Sequence, residues 1–363
     1  MAEPAPITVI IPAWRAAATI GRTLASIAAQ TRPPRRVVVV DDESDDDTLG
    51  AARACTAVLA AVGSTLTVVR QAKGGPGAAR NRALAEADTP YVAFIDADDE
   101  WLPAKLERSL AHIEGTDLVL VSHDFLAEQP DGSETYADCT RHFRAAADPF
   151  AALFVRAYVA TTTVVARRDA VLAAGGFDPT LPAAQDYDLW LAMLGRPGAR
   201  FLVFPEALTR YRFSPAGITS KVEQRRRCSL AVMARHAPTL RSRGLAGLVC
   251  VGKRALVIHY EAACAHRRQG RRIAGLGAGL MAAPALVRAV AALLGPGQPE
   301  TRAAYSAPLP PQSAQAMNKP TQALVLGLSI LWIVVVLVDY YTSSSSYYSE
   351  KLSVFSRFLL GVK

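Results

Sequence analysis

The chain has no cysteine pair spaced as a C-x-x-C clip. Its five cysteines, Cys55, Cys139, Cys228, Cys250 and Cys264, are scattered over 363 residues. This argues against a disulfide framework or a cysteine-built zinc site and suits a reducing compartment. Lysine is scarce: Lys73, Lys105, Lys221 and Lys253 are the only ones before Met317, so arginine carries most of the positive charge. The start of the sequence lacks a basic flank followed by a long apolar stretch. It offers Glu3, two prolines and the short run Ile7–Pro12, so no signal peptide is expected.

What is present is globular in character. Apolar residues make up 51% and charged residues 20%, over a length sufficient to bury a sizeable core. The net charge of +8 hides a division. Residues 1–220 carry 21 Lys/Arg against 27 Asp/Glu, whereas residues 221–272 carry 13 against 2. So basic a stretch reads either as a surface for an anionic partner or as a solvated helix face. No aromatic residues interleave with its arginines, which argues against nucleic acid.

Periodicity alternates along the first half. Ile7–Pro12 (ITVIIP) predicts a buried strand, and residues 19–30 a helix with Ile20, Leu24 and Ile27 on one side. Arg35–Val40 predicts a strand, Asp47 or Thr48 caps a helix through about Val62, and Leu66–Arg70 is a third strand. A glycine-rich turn, Gly74–Gly77, leads into a helix from Ala78 to Ala87, then a strand from Tyr91 to Ile95. Strands are also expected at Asp117–Phe125 and Thr161–Ala166, with a polar loop through Asp138 between them. Helices are expected at Arg168–Ala174 and Gln185–Leu194, and Phe201–Tyr211 closes the domain.

This alternation predicts an α/β fold: a Rossmann-like, mostly parallel sheet with helices on both faces. Ligands of such sheets bind outside the carboxyl ends of the strands. Asp41, Asp42, Asp96 and Asp98 all fall at such ends.

Residues 221–295 read as a basic, helical, membrane-associated region, and 296–318 as a Pro/Ala-rich linker. Within 319–363, Ala323–Val338 is free of charge and is followed by Tyr340 and Tyr341. At about 1.5 Å per residue it falls slightly short of the ~30 Å hydrocarbon core, and the tyrosines extend it through the interface. It is expected to be a single transmembrane helix with a polar tail. A buried helix is the other reading. Met317 marks a compositional seam, which leaves open a fused or separately encoded segment.

Asp96-Ala97-Asp98 follows an apolar strand, and positions i and i+2 of an extended chain point the same way. Two such carboxylates suit Mg²⁺ or Mn²⁺, which take hard oxygen ligands and keep room for phosphate. Asp99 is expected to point elsewhere and cap the turn. In the acidic run after the second strand, Asp45–Asp47 read as helix caps. Asp41, at the strand mouth, is suited to accept a hydrogen bond from a base imino group or a ribose hydroxyl. Lys73 and Arg80 sit beside glycines, where backbone can approach a phosphate; Arg80 pairing with a nearby acid is the alternative. Asp186, at a helix start after Gly175-Gly176-Phe177, suits a general base or a plain helix cap. Asp188 and Trp190 are expected to shape an acceptor pocket.

Taken in order, IIPAW, VVVVDDESDDDT, GGPGAARNRAL, YVAFIDADDEWLPAKLE and GGFDPTLPAAQDYDLWLAM resemble glycosyltransferase family 2, over roughly residues 6–215. The resemblance implies the GT-A fold, with Pro12, Asp41, Asp42, Lys73 and Arg80 lining the nucleotide site. It implies that Asp96 and Asp98 form the Asp-x-Asp pair, Asp98 facing the metal, and that Asp186 is the general base of an inverting displacement. Four departures stand out. Gln185 replaces the usual glutamate, Glu43 stands where glycine is common, and Trp14 where a smaller aromatic-asparagine pair is usual. Phe213-Ser214-Pro215 follows Tyr211-Arg212 where a metal-holding histidine often occurs.

The resulting expectation places a catalytic domain over residues 1–220. It would be an inverting, Mn²⁺- or Mg²⁺-dependent glycosyltransferase moving sugar from a nucleotide-diphosphate donor, a UDP-sugar being the family's commoner choice. The expected acceptor is lipid-linked or polysaccharide, in cell-envelope glycan synthesis at the cytoplasmic face of a bacterial inner membrane, with the membrane surface as partner. The alternatives are a glycosyltransferase acting on a soluble or protein acceptor, and a non-catalytic nucleotide-sugar-binding or scaffold protein of an envelope-assembly complex.

Overall fold

A computed structural model describes residues 3–129, 132–144, 146–212 and 221–271, with 274, 275 and 277. Its contacts divide the chain into two compact units, Met1–Leu153 with Ala157–Pro215, and Phe154–Arg156 with the chain from Ala216 onward.

The first unit opens with β1 (Ala5–Ala13), α1 (Ile20–Ala28), β2 (Pro34–Asp42), α2 (Thr48–Ala54), α3 (Thr56–Ala61) and β3 (Thr65–Gln71). It continues with α4 (Gly75–Ala85), β4 (Tyr91–Phe94), β5 (Glu100–Trp101), α5 (Lys105–Ile113), β6 (Leu118–His123), β7 (Phe125–Glu128) and β8 (Glu134–Ala137). Two helices follow, α6 (Arg141–Arg144) and α7 (Pro149–Arg156), and then a 3₁₀ turn, Thr161–Thr163. The last elements are β9 (Val165–Arg167), α8 (Arg168–Ala173), α9 (Gln185–Leu194), β10 (Arg200–Phe204) and β11 (Thr209–Arg212).

Seven strands form the main sheet in the order β10-β6-β9-β4-β1-β2-β3. The runs of valine and isoleucine that predict β1, β2 and β4 are buried on both faces, as a parallel sheet covered by helices requires. Below it, Ile7, Val9 and Ile11 of β1 pack with Ile20, Leu24 and Ile27 of α1 and with Leu106, Leu110 and Ile113 of α5. Burying each such aliphatic side chain is worth about 1.5–3 kcal/mol. Phe94 of β4 meets Phe177 and Trp190 edge-on, with ring centroids 5.4 and 5.8 Å apart.

One strand runs against the rest. β9 pairs antiparallel with both β4 and β6, whereas β1–β2, β2–β3, β1–β4 and β6–β10 are parallel. The carboxyl ends of the parallel strands and the amino end of β9 therefore share one sheet edge. The turn Thr161–Thr163, which precedes β9, is delivered to that edge by this reversal.

The mostly parallel sheet matches the expectation, and several details differ from it. Thr161–Ala166 is not one strand, because its first three residues form the 3₁₀ turn. The helix expected through Val62 is two short ones that meet at Cys55. The helix expected from Ala78 begins at Gly75, with proline in its first turn, where a missing N–H costs nothing. The stretch read as a polar loop holds β7 and β8, which join β5 and β11 in a small second sheet ordered β5-β11-β7-β8.

The second unit contains α10 (Val222–His236), a 3₁₀ segment (Ala237–Arg243) and α11 (Gly244–Arg268). Glu223 of α10 takes hydrogen bonds from Arg226 at 2.7 Å and joins His266 of α11 at 2.9 Å. The buried Arg254 donates to the carbonyl of Val155 at 3.3 Å. Among the described residues no helix is long and apolar enough to cross a membrane. The linker 296–318, the expected span Ala323–Val338 and the segment 213–220 lie outside the described residues.

Candidate functional site

The sheet edge gathers the acids from separate stretches of chain. Asp41 is the penultimate residue of β2, buried and in register with Ala13 on β1 and Arg70 on β3. Its carboxylate accepts the Ser44 N–H at 3.3 Å and lies 3.6 Å from the Arg70 guanidinium. Pro12, one position earlier on β1, pairs with Val40.

Asp42 faces the protein. It accepts the N–H groups of Gly74 and Gly75 and the side-chain amide of Gln71, each at 2.8 Å. Three donors on one carboxylate fix the glycine turn before α4, so Asp42 shapes that turn. Glu43 adopts a left-handed φ of 59°, and its carboxylate accepts the Lys73 N–H at 3.0 Å. The glutamate found where glycine is common thus holds the same turn. The Lys73 ammonium sits 3.4 Å from the ring centre of the half-exposed Trp14, and the Arg15 guanidinium 4.7 Å from it. Asp45 pairs with Arg15, Asp46 accepts from Ala17 and Thr48, and Asp47 caps α2 through Gly50. Asp47 is the cap expected at this helix start, whereas Asp45 is a surface brace on Arg15 and Asp46 ties Ala17 to Thr48.

The Asp-x-Asp pair does not lie on extended chain. The Asp99 N–H bonds to the Asp96 carbonyl at 3.1 Å, closing a turn that draws the carboxylates together. Asp96 accepts from the Arg80 guanidinium at 2.6 Å. Arg80 is therefore committed to an acid, the alternative raised for it, and its charge also lies 5.3 Å from the Phe177 ring. The Asp98 carboxyl is pushed up to about 6, first by burial and then by the Asp96 charge. Asp99 is fully buried, accepts the Arg212 N–H at 3.0 Å, and is driven well above the ordinary carboxylate range by burial.

This donor set fits a hard divalent cation. Two crowded carboxylates repel each other, and a cation between them relieves both the repulsion and the burial penalty. Among the described residues no group of three His, Cys, Asp or Glu side chains is placed to hold a metal. Asp98 and Asp96 would hold it, and the remaining ligands would have to be substrate oxygens and water.

Asp186 lies in the first turn of α9 after Ala184, whose φ of 59° is left-handed. Its Oδ2 accepts the Thr161 hydroxyl at 2.7 Å, and its Oδ1 accepts the Tyr187 N–H at 2.8 Å. Thr161 belongs to the turn at the amino end of β9, so Asp186 reaches the edge that carries Asp41 and Asp98. Trp190 departs from its expected role: it is fully buried against Phe94 and Phe177 and belongs to the core, because α9 turns that face inward. Asp188 is fully buried as well.

Sequence reasoning missed three participants. Asn81 of α4 clasps the backbone of Phe177, donating to its carbonyl at 2.7 Å and accepting its N–H at 2.8 Å. Gly77 of the same helix lies so close to this loop that a Cβ there would stand 3.2 Å from the Asp178 carbonyl. Arg212 bridges Glu100 at 2.9 Å and Glu128 at 3.0 Å while its N–H holds Asp99. An asparagine inside a helix is a weak former, and that was the one available signal.

Residues 8–169 match the sequence model described as Glycosyl transferase family 2. A Mycobacterium tuberculosis (strain H37Rv) protein named pre-mycofactocin glycosyltransferase is 30% identical over 141 residues, 38% of this chain and 30% of that protein. The succinoglycan biosynthesis protein ExoW of Rhizobium meliloti (strain 1021) is 54% identical over 43 residues, 11% of this chain and 14% of that protein. The chain thus spans less than a third of either relative's length. Among solved structures, S. aureus TarS 1-349 in complex with UDP-GlcNAc superposes with a TM-score of 0.55 at 20% identity, covering 79% of this chain and 83% of that one. The S. aureus TarS structure gives 0.56 at 20% identity, over 95% and 57%. At such identities the likeness concerns the fold alone.

Proposed function

Residues 8–169 belong to glycosyltransferase family 2, and from that premise we propose that the chain is an inverting, metal-dependent glycosyltransferase using a nucleotide-diphosphate sugar. The architecture is accordingly GT-A-like. One observation carries the reading: Asp41, Asp98 and Asp186, contributed by β2, by the turn after β4 and by α9, converge on one sheet edge.

Each group has a task on this reading. Asp41 receives the ribose or base of the donor at the mouth of β2. The glycine turn braced by Asp42 and Glu43 presents Lys73 beside Trp14, on the rim where a diphosphate would lie. Asp98 and Asp96 would hold a divalent cation, which would supply Lewis-acid stabilisation of the diphosphate leaving group. Arg80 fixes Asp96 and thereby orients the pair. Asp186 accepts the proton of the acceptor hydroxyl as that oxygen attacks the anomeric carbon, a contribution of roughly 10²–10⁴-fold for a positioned base. With one displacement and no covalent nucleophile in the scheme, the anomeric centre inverts.

For the acceptor we propose a lipid-linked sugar or polyprenyl phosphate. The arginine-rich 221–272 segment would hold the catalytic domain, residues 1–220, against anionic head groups at the cytoplasmic face. Release of nucleoside diphosphate from UDP-glucose, UDP-N-acetylglucosamine or GDP-mannose in the presence of Mn²⁺ tests the reaction. Turnover that is lost in Asp98→Ala supports it, and a protein that binds these donors without ever consuming them refutes it. A 1–220 fragment with full activity on a water-soluble acceptor, joined to a full chain with no affinity for anionic vesicles, would remove the lipid component.

A further inference from the structure

The three threonines before β9 are all buried, and each is tied to a different part of the molecule. Thr161 Oγ1 donates to Asp186 Oδ2 at 2.7 Å. The Thr162 carbonyl accepts the indole N–H of Trp101 at 2.8 Å, and Trp101 lies on β5, which directly follows the Asp96–Asp99 turn. Thr163 donates to the Ala160 carbonyl at 2.7 Å, which consumes its one proton. The Ser122 hydroxyl, 2.7 Å from Thr163 Oγ1, must then be the donor in that pair. The turn is thereby fixed at both ends and in its middle.

We propose that Thr161 is a positioning residue: its hydroxyl holds the Asp186 carboxylate in the one orientation that offers a lone pair to the acceptor oxygen. The inference rests on the proposed role of Asp186. An aspartate in the first turn of a helix bonds readily to a neighbouring backbone N–H, as Asp186 does with Tyr187. That single bond leaves the plane of the carboxylate free to rotate. The Thr161 bond on the other oxygen fixes the plane, and of about four lone-pair sites it leaves two for the acceptor. Because the turn also holds Trp101, the orientation of the base is set relative to the Asp-x-Asp loop. Errors near 1 Å in such placement cost on the order of 10²-fold in rate.

The test uses the full chain with UDP-glucose, UDP-N-acetylglucosamine and GDP-mannose, each with Mn²⁺, water standing in for the acceptor hydroxyl. Thr161→Val keeps the side-chain shape and loses the hydroxyl. Its kcat should fall about 10- to 100-fold, with the donor KM within about threefold of wild type. Thr161→Ser should restore kcat to within about threefold. Adding Thr161→Val to Asp186→Asn should produce little further loss, because the two act as one unit. If the valine variant does not fold, Thr161→Ala against Thr161→Ser makes the same comparison. Wild-type kcat in Thr161→Val, or equal impairment in the serine and valine variants, overturns the inference while the catalytic reading stands. A wild type inert toward all three donors, or an active Asp186→Asn, removes that reading and this inference with it.

Discussion

The Arg80 guanidinium lies 2.6 Å from Oδ1 of Asp96, almost wholly out of solvent on the arginine side and about one-third exposed on the aspartate side. The pair joins α4 to the turn after β4. Removing the arginine alone leaves the Asp96 carboxylate beside Asp98 without its ion-pair partner.

Arg80→Met should therefore destabilise the protein by about 1–3 kcal/mol, the range for stranding one partially buried partner. Arg80→Met with Asp96→Asn should recover part of that loss. Chemical denaturation of the four proteins in a double-mutant cycle measures the coupling, and strict additivity would contradict it.

Asp98 makes two opposite predictions about pH. Its native carboxyl is raised to about 6, so the protonated form is favoured by folding. The stability this gives the unliganded protein is fully present below about pH 4 and is lost as pH rises through 6. A cation needs the ionised form, so Mn²⁺ stabilisation should grow over the same interval. Melting temperatures with and without MnCl₂ from pH 5 to pH 8 should show this crossover, and Asp98→Asn should flatten it.

Asp99 is the neighbour with a different fate. Burial raises its carboxyl well above the ordinary range, and its Oδ1 accepts the Arg212 N–H. Asp99→Asn keeps that acceptor without the charge. Stability at pH 8 should stay within about 1 kcal/mol of wild type or exceed it, since the variant no longer bears the cost of a buried charge. Asp98→Asn, at the adjacent position and on the proposed metal pair, should lose donor turnover. Parallel denaturation and turnover assays on the two variants separate these roles.

Asn81→Leu removes both hydrogen bonds to the Phe177 backbone. A loss of about 1–3 kcal/mol is expected from the unpaired peptide groups. The 175–181 loop would also shift relative to α4, and slower donor turnover at unchanged protein concentration should accompany the stability loss.

The sequence revealed the parallel strands and the acids at their ends because both depend on local pattern. Runs such as Val37–Val40 bury both faces and lead into a carboxylate, which marks strand and site together. A strand was legible around β9, but its reversed direction was not, because three residues carry no periodicity that encodes direction. β5 and β11 are short, and their pairing links residues about a hundred positions apart. The bond from Thr161 to Asp186 was hidden for the same reason: it depends on the reversal of β9. Arg80 was legible only as a choice between a phosphate and an acid, and proximity of Asp96 in space decided it.

The contact between Ser122 and Thr163 closes a clasp at the base of everything from Asp124 to Ala160. That excursion leaves the main sheet after β6 and returns through the turn before β9, so its two stems are fastened together where it begins. Lengthening a loop already closed at its stem adds little entropy cost, about 0.6 kcal/mol for each doubling. The geometry thus separates the sheet that carries the acids from an appendage fastened at its stem, and changing the length of that excursion should leave the edge where the acids meet in place.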